Sequence, residues 1–281
     1  MIVTRFAPSP TGRLHLGHAY SAVVGHQQAR ANDGGFLLRI EDLDQTRSRT
    51  EFVDGMIEDL RWLGLQWAEP VLVQSQRADA YERALRQLGE RGLVYPCFCT
   101  RADIAAALEA PHGAAACYPG ICRGLPDDPD RRESRPHSWR LNVDKALGMT
   151  GLPSWTEADG RCFTAAREHL DDVILARKDA PAAYHLACVV DDAASGVTLV
   201  TRAADLRPST PIQRLIQMLL GLPESTYFHH PLVAHADGRR LAKRDFAPTL
   251  AAMRESGVDG HTLAADLRAG KLPLGFAFVD A

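Results

Sequence analysis

The chain has 281 residues, 46% of them hydrophobic and 24% charged, with no repeat or low-complexity run, so it can bury a full core and hold two or three subdomains. A formal net charge of −3 rules out recognition of nucleic acid by bulk charge, and any RNA surface must be local. No apolar run reaches transmembrane length, the start lacks a signal peptide's apolar stretch, and six unevenly spaced cysteines suit a reducing compartment; a soluble cytoplasmic protein with no membrane partner is expected.

Residues 2–7 alternate apolar and polar side chains and read as a strand. Pro8, Pro10 and Gly12 force a turn, and from Leu14 the period becomes helical, with Leu16, Tyr20, Val23 and Val24 on one side. The helix should end near Ala31, before Asn32-Asp33-Gly34-Gly35. A strand, a tight Gly/Pro turn and a helix opening aim backbone N–H groups and a helix dipole at a phosphate. His15 and His18 on that turn could hold triphosphate oxygens, and Gly17 lets a flat base lie against the backbone. Gly12 and Gly17 have P-loop spacing, but His18 and Ala19 stand where that motif needs Lys and Ser/Thr.

Residues 36–40 form a short, almost wholly apolar strand that suits a buried parallel sheet. It runs into Glu41-Asp42-Leu43-Asp44, where open α/β sheets bind ligands. Residues 51–64 give an amphipathic helix, 71–73 a strand and 78–89 another helix. Strand and helix thus alternate three times, which predicts an α/β fold on a doubly wound parallel sheet.

At Tyr95 the texture changes. Cys97-Phe98-Cys99-Thr100 leads into a short helix capped by Thr100 and Asp103, and Cys117-Tyr118-Pro119-Gly120-Ile121-Cys122 follows. Cys-x-Cys with a later Cys is a zinc-knuckle pattern, in which thiolates would staple a small irregular subdomain. A fourth ligand must come from Cys117, Tyr118 or His112, and chemistry favours Cys117, because thiolate outranks phenolate for zinc. Cys162 and Cys188 are expected to be buried structural residues. Residues 125–135 read as an exposed loop in which Arg131, Arg132 and Arg135 form a solvated charge run. A strand over 171–179, a helix over 182–191 carrying Tyr184, and a strand over 196–202 ending on Arg202 come next. Ser209 and Pro211 open a helix that stops at Gly221. Asp237-Gly238 turns into a run of four cations, and two short helices, 246–256 and 262–269, complete the predicted elements.

Arg5, Glu41 and Arg202 all fall at strand ends on one side of the predicted sheet. Two guanidiniums and one carboxylate complement glutamate, which carries two carboxylates and one ammonium, and Ser9 and Tyr184 can add neutral hydrogen bonds. The residues alone define an anionic small-molecule site beside a nucleotide, with glutamate one of several candidates.

Arg5 to His18, Arg39-Ile40-Glu41-Asp42, Tyr184 with Arg202, and Arg240-Leu241-Ala242-Lys243-Arg244 resemble, in order, the elements of glutamyl-tRNA synthetases of class I. The last departs from that family's Lys-Met-Ser-Lys-Ser loop: Arg240, Ala242 and Arg244 replace the first Lys, first Ser and last Ser. Lys243 stands at the position that faces the ATP phosphates in the family. Fewer than about forty residues follow Arg244, enough for two short helices but not for a helical anticodon-binding domain. With Cys97, Cys99, Tyr118 and Cys122, this length resembles the glutamyl-Q tRNA(Asp) synthetase family, in which the position of Tyr118 is a zinc ligand.

The resemblance implies a split catalytic domain (1–94 and 181–225), a zinc-containing insertion (95–180) and a short helical C-terminal region (226–281). It implies ATP at His15, Gly17, His18 and Lys243, with His15, His18 and Lys243 catalytic; glutamate at Arg5, Ser9, Glu41, Tyr184 and Arg202; a structural Zn²⁺; and Mg²⁺ with the ATP. The partner it implies is tRNA(Asp) bearing queuosine, although nothing in composition or spacing shows queuosine. Three rivals stand beside this reading: a shortened conventional glutamyl-tRNA synthetase charging the 3′ end, a non-catalytic RNA-binding paralogue, and another nucleotidyltransferase sharing the His-x-Gly-His turn. No obligate interface is indicated, so a monomer is expected.

Overall fold

A computed structural model describes residues 1–100, 102–104, 118–126, 128–239, 241 and 248–280. The N-terminal third alternates strand and helix: β1 (Val3–Phe6), α1 (Leu16–Arg30), β2 (Gly35–Ile40), α2 (Thr50–Trp62), β3 (Ala68–Val73) and α3 (Ala78–Glu90). The strands form a parallel sheet in the order β1-β2-β3, with Arg5 paired to Leu37 and Arg39 to Leu72. Side chains on β2 alternate between faces. Leu38 and Ile40 enter an apolar cluster with Ala19, Val23, Leu60 and Leu263, whereas Leu37 packs against a second cluster containing Tyr81, Leu186 and Leu215. Helices therefore cover both faces, as a strand buried on both sides requires.

The middle of the chain is antiparallel. β4 (Val94–Cys97), β5 (Ser138–Leu141) and β8 (Ile174–Ala176) make one sheet, and β6 (Ser154–Thr156) with β7 (Cys162–Thr164) a hairpin. Residues 125–135, expected as a loop, contain the short helix α4 (Pro129–Ser134); Asp128 caps it by accepting from Arg131 N at 3.0 Å, and Pro129 takes the first turn. The strand expected over 171–179 shortens to β8 because Asp172, fully buried, turns inward to accept from Arg123 Nε at 2.6 Å and Val143 N at 3.0 Å. α5 (Val143–Thr150) follows β5, and its Val143 and Ala146 join the Tyr81 cluster, so this segment shares a core with α3. Cys162, expected buried, is exposed, because the two-stranded hairpin that carries it leaves one face open to solvent.

α6 (Tyr184–Ala194) returns to the parallel sheet and is followed by β9 (Leu199–Ala203), α7 (Thr210–Leu220) and β10 (Thr226–His230). β9 pairs with β10 in parallel and lies beside β1, where Thr198 N donates to Val3 O at 3.0 Å. Gly221 ends α7 at φ 64°, the left-handed conformation that glycine adopts without strain. The C-terminal region is not purely helical. α8 (Leu250–Glu255) and α9 (Gly260–Arg268) are flanked by β11 (Leu232–His235) and β12 (Phe276–Val279), which pair antiparallel. Phe276 and Phe278 pack on the Val23 cluster, which gives this apolar end a reason to return as a strand. No described helix is long and apolar enough to cross a membrane.

Candidate active site

Parallel strands deliver the site residues to one edge. Arg5 lies on β1, Glu41 follows β2 directly and Arg202 lies on β9. A cleft of about 600 Å³ opens there, lined by Arg5, Ser9, His15, Gly17, His18, Glu41, Tyr184 and Arg202. Lys243 lies outside the described residues, as do Arg240, Ala242 and Arg244. Leu241, from the same segment, lines the cleft. The turn itself is tied on both sides: Glu41 N donates to Pro8 O at 3.0 Å and Leu250 N to Leu14 O at 2.9 Å.

His15 caps α1. Its Nδ1 accepts from Gly17 N at 3.1 Å, and its own N–H donates to His18 Nδ1 at 3.2 Å, a reciprocal capping box made by two imidazoles. Since each Nδ1 accepts, the proton of each neutral ring sits on Nε2. The rings lie 3.8 Å apart between centroids, and both border the cleft at a helix N-terminus, where anionic oxygens are favoured. A Cβ on Gly17 would stand 3.1 Å from His15 Cε1, so a larger residue would press on the cap.

Arg5 donates through Nε to Asp192 Oδ1 at 2.9 Å, through Nη2 to Asp192 Oδ2 at 3.3 Å and through Nη1 to Thr201 O at 3.0 Å. Arg39 also bonds Asp192, and reaches Glu41 Oε1 through Nη2 at 3.0 Å. Burial pushes the Asp192 carboxyl up, but Arg39 and Arg5 overcome it and hold the group at about 2. Arg202 donates to Gln213 Oε1 at 2.6 Å, Thr210 Oγ1 at 2.7 Å and, through Nε, His229 Nε2 at 3.2 Å. Each of Arg5 and Arg202 therefore has two of its five N–H groups unused by the described residues, on a guanidinium whose direction is already fixed.

His229 Nε2 accepts from Arg202, so Nδ1 carries the proton and donates to Glu157 at 2.8 Å. The ring is neutral: burial and the nearby Arg202 cation lower it to about 3. His185, next to Tyr184, is lowered to about 4 for the same reasons. Asp42 and Asp44 serve the scaffold. Asp42 accepts from Ser75 N at 2.8 Å and Ser75 Oγ at 2.6 Å, and Asp44 from Arg47 Nε at 2.6 Å.

Asp192, Cys188 and His229 carry no motif of their own, and Arg39 stands only in the Arg39-Ile40-Glu41-Asp42 element with no role assigned, yet all four contact the residues just described. One signal was available: an arginine inside an apolar buried strand needs a counter-charge, and Asp191-Asp192 is an acidic pair on a largely apolar helix. Cys188, expected to be only structural, is buried but also donates to Glu41 Oε1 at 3.3 Å.

A second centre sits at the end of β4. The sulfurs of Cys97, Cys99 and Cys122 lie within 4.8 Å of one another and could hold a metal ion. Tyr118, 6% exposed, places its hydroxyl 3.3 Å from Cys97 Sγ and 3.5 Å from Cys99 Sγ, and Cys99 Sγ is 3.5 Å from Cys122 Sγ. Donors on a tetrahedral zinc stand roughly 3.5–3.8 Å apart, so this set fits one. Cys117 and His112 lie outside the described residues. Arg140 Cζ stacks 3.8 Å over the Tyr118 ring and sets a buried cation beside the donors.

The family model for tRNA synthetases class I (E and Q), catalytic domain, matches residues 1–268. The chain is 44% identical to the glutamyl-Q tRNA(Asp) synthetase of Rhodobacter capsulatus, over 91% of this chain and 96% of that protein. It is 47% identical to the protein of the same name from Nocardia farcinica, over 90% of this chain and 79% of that one. Its structure resembles the crystal structure of the glutamate-tRNA synthetase from Elizabethkingia anophelis with a TM-score of 0.80 and 26% identity. The match covers 95% of this chain and 61% of that chain, so this protein spans under two thirds of that synthetase's length. The chain belongs to the class I tRNA synthetases of the E and Q type.

Proposed function

We propose that the protein activates glutamate with ATP and transfers it to the queuosine base in the anticodon of tRNA(Asp). One observation carries the first half: the His15–His18 turn and the set Arg5, Glu41, Tyr184 and Arg202 line a single cleft, so an anionic amino acid and a nucleotide can meet in it. The relatives from Rhodobacter capsulatus and Nocardia farcinica, matched over most of their length and both named for glutamyl-Q transfer, support the second half.

In the first step an α-carboxylate oxygen of glutamate attacks the α-phosphorus of ATP. An acyl–phosphate bond forms, the bond to the β-phosphate oxygen breaks and pyrophosphate leaves. The carboxylate is already ionised, so no general base is needed and catalysis is positioning and charge stabilisation. His15 and His18 offer Nε2–H groups to the phosphates, Lys243 adds a cation and Mg²⁺ arrives with the ATP. Arg5 and Arg202 hold the two carboxylates, Glu41 the ammonium, and Ser9 and Tyr184 set orientation. In the second step a hydroxyl of queuosine's cyclopentenediol attacks the adenylate carbonyl, loses its proton and displaces AMP. Cys97, Cys99, Tyr118 and Cys122 would hold a Zn²⁺ that staples the antiparallel sheet and takes no part in either step. The unit bearing it spans 95–180, between the catalytic segments 1–94 and 181–225, and the protein works as a soluble cytoplasmic monomer.

Glutamate-dependent exchange between ATP and pyrophosphate tests the pocket. Exchange should be supported by glutamate over glutamine and aspartate, and Glu41→Ala should abolish it with metal content unchanged. Normal exchange by that variant would remove Glu41 from the site.

A further inference from the structure

Helix α6 carries Tyr184, Cys188 and Asp192 at a spacing of four, so they share one face. That face meets the strand ends: Tyr184 borders the cleft, Cys188 reaches Glu41, and Asp192 holds Arg5 and Arg39. At Glu41 the two oxygens are treated differently. Oε1 collects Arg39 Nη2 at 3.0 Å, Arg39 Nε at 3.3 Å and Cys188 Sγ at 3.3 Å. Oε2 takes no hydrogen bond from the described residues, although the Glu41 side chain is only 11% exposed and lines the cleft. Burial and the Glu41 carboxylate push the Cys188 thiol well above its ordinary range, so the sulfur keeps its proton and acts as a donor.

We propose that Cys188, with Arg39, is a positioning residue that clamps Oε1 of Glu41 and so aims Oε2 at the substrate ammonium. The inference rests on the reading above that Glu41 meets that ammonium. The terminal torsion of a glutamate side chain is broad, so one donor group does not fix the carboxylate plane. Arg39 approaches from two residues earlier, on β2, and its far end is pinned by Asp192. Cys188 approaches from α6. Two directions of approach on one oxygen narrow the torsion and leave the other oxygen for ligand. A thiol suits the place because it is small, apolar enough to sit 3% exposed in the helix face, and still able to donate.

The test is exchange kinetics of Cys188→Ala and Cys188→Ser beside wild type, with KM for glutamate, KM for ATP and kcat measured separately. Cys188→Ala should raise KM for glutamate about fivefold, the worth of a modest hydrogen bond, with kcat and KM for ATP within about twofold. Cys188→Ser keeps a donor and should return KM for glutamate to within about twofold of wild type. A glutamate KM unchanged in Cys188→Ala overturns the clamp, as does a serine variant as impaired as the alanine one, or a fall in kcat with both KM values moved alike. These outcomes presuppose glutamate-dependent exchange by the wild type; its absence would overturn the reading of Glu41 itself, and the clamp with it.

Discussion

Asp192 on α6 accepts Arg5 of β1 at two points, Nε to Oδ1 at 2.9 Å and Nη2 to Oδ2 at 3.3 Å, and takes Arg39 of β2 on the same Oδ1. One buried carboxylate thus joins a helix to two strand ends and fixes both guanidiniums before a ligand arrives. Asp192→Asn should leave two buried cations undercompensated and cost about 3–5 kcal/mol, read as a fall in the midpoint of denaturant unfolding. The carboxyl is depressed to about 2, so its contribution is fully present above the unfolded value near 4. It should fade as pH falls towards 2, and the gap between wild type and Asp192→Asn should narrow by about 2–3 kcal/mol over that window. A gap that stays constant down to pH 2 would contradict the pairing.

Asp59 on α2 behaves in the opposite sense. It is 1% exposed and accepts Arg254 Nη1 of α8 at 2.9 Å, yet burial outweighs the cation and raises its carboxyl to about 6. A raised carboxyl stabilises the fold below its unfolded value near 4, and that contribution is lost as pH rises through 6. Asp59→Asn should therefore match wild type near pH 4 and exceed it in stability by up to about 3 kcal/mol at pH 8. Thermal unfolding of the two proteins at both pH values is the check.

Gly17→Ala tests the imidazole cap. The added methyl carbon would meet His15 Cε1 at 3.1 Å and Nδ1 at 3.3 Å, so the ring must tilt while the helix behind it stays. Glutamate-dependent exchange should lose about 10–100-fold in kcat, because a small displacement of a phosphate-binding group is enough, with little change in melting temperature. Equal kcat for variant and wild type would take His15 out of the chemistry.

The metal centre makes a separate prediction. Purified protein should carry about one zinc per chain, and Cys99→Ser or Cys122→Ser should lose it to a chelator. Tyr118→Phe keeps the ring under Arg140 but removes the oxygen, and should weaken zinc binding by about tenfold or more. Wild-type affinity in Tyr118→Phe would give the fourth place to another donor, such as Cys117.

The alternating elements of the N-terminal third were legible because each apolar run had a clear period and a Gly or Pro stop: α1 ends at Arg30 and β2 spans Gly35–Ile40, each within a residue of expectation. Short elements were not. α4 depends on the local Asp128 cap, and β12 forms only because β11, about forty residues earlier, offers an edge for pairing. In the site, the turn and the strand-end arginines were visible from types and spacing. What holds them was not, since Asp192 and Cys188 reach Arg5 and Glu41 across more than a hundred residues. Helical spacing could have put Tyr184, Cys188 and Asp192 on one face, but only the fold says what that face meets.

The decisive measurement is transfer of labelled glutamate to purified tRNA(Asp), with and without queuosine, before and after removal of the 3′ adenosine. Transfer that requires queuosine and survives loss of the 3′ adenosine is predicted. Transfer that ignores queuosine and requires the 3′ adenosine would contradict the account and make the protein a synthetase of the tRNA 3′ end.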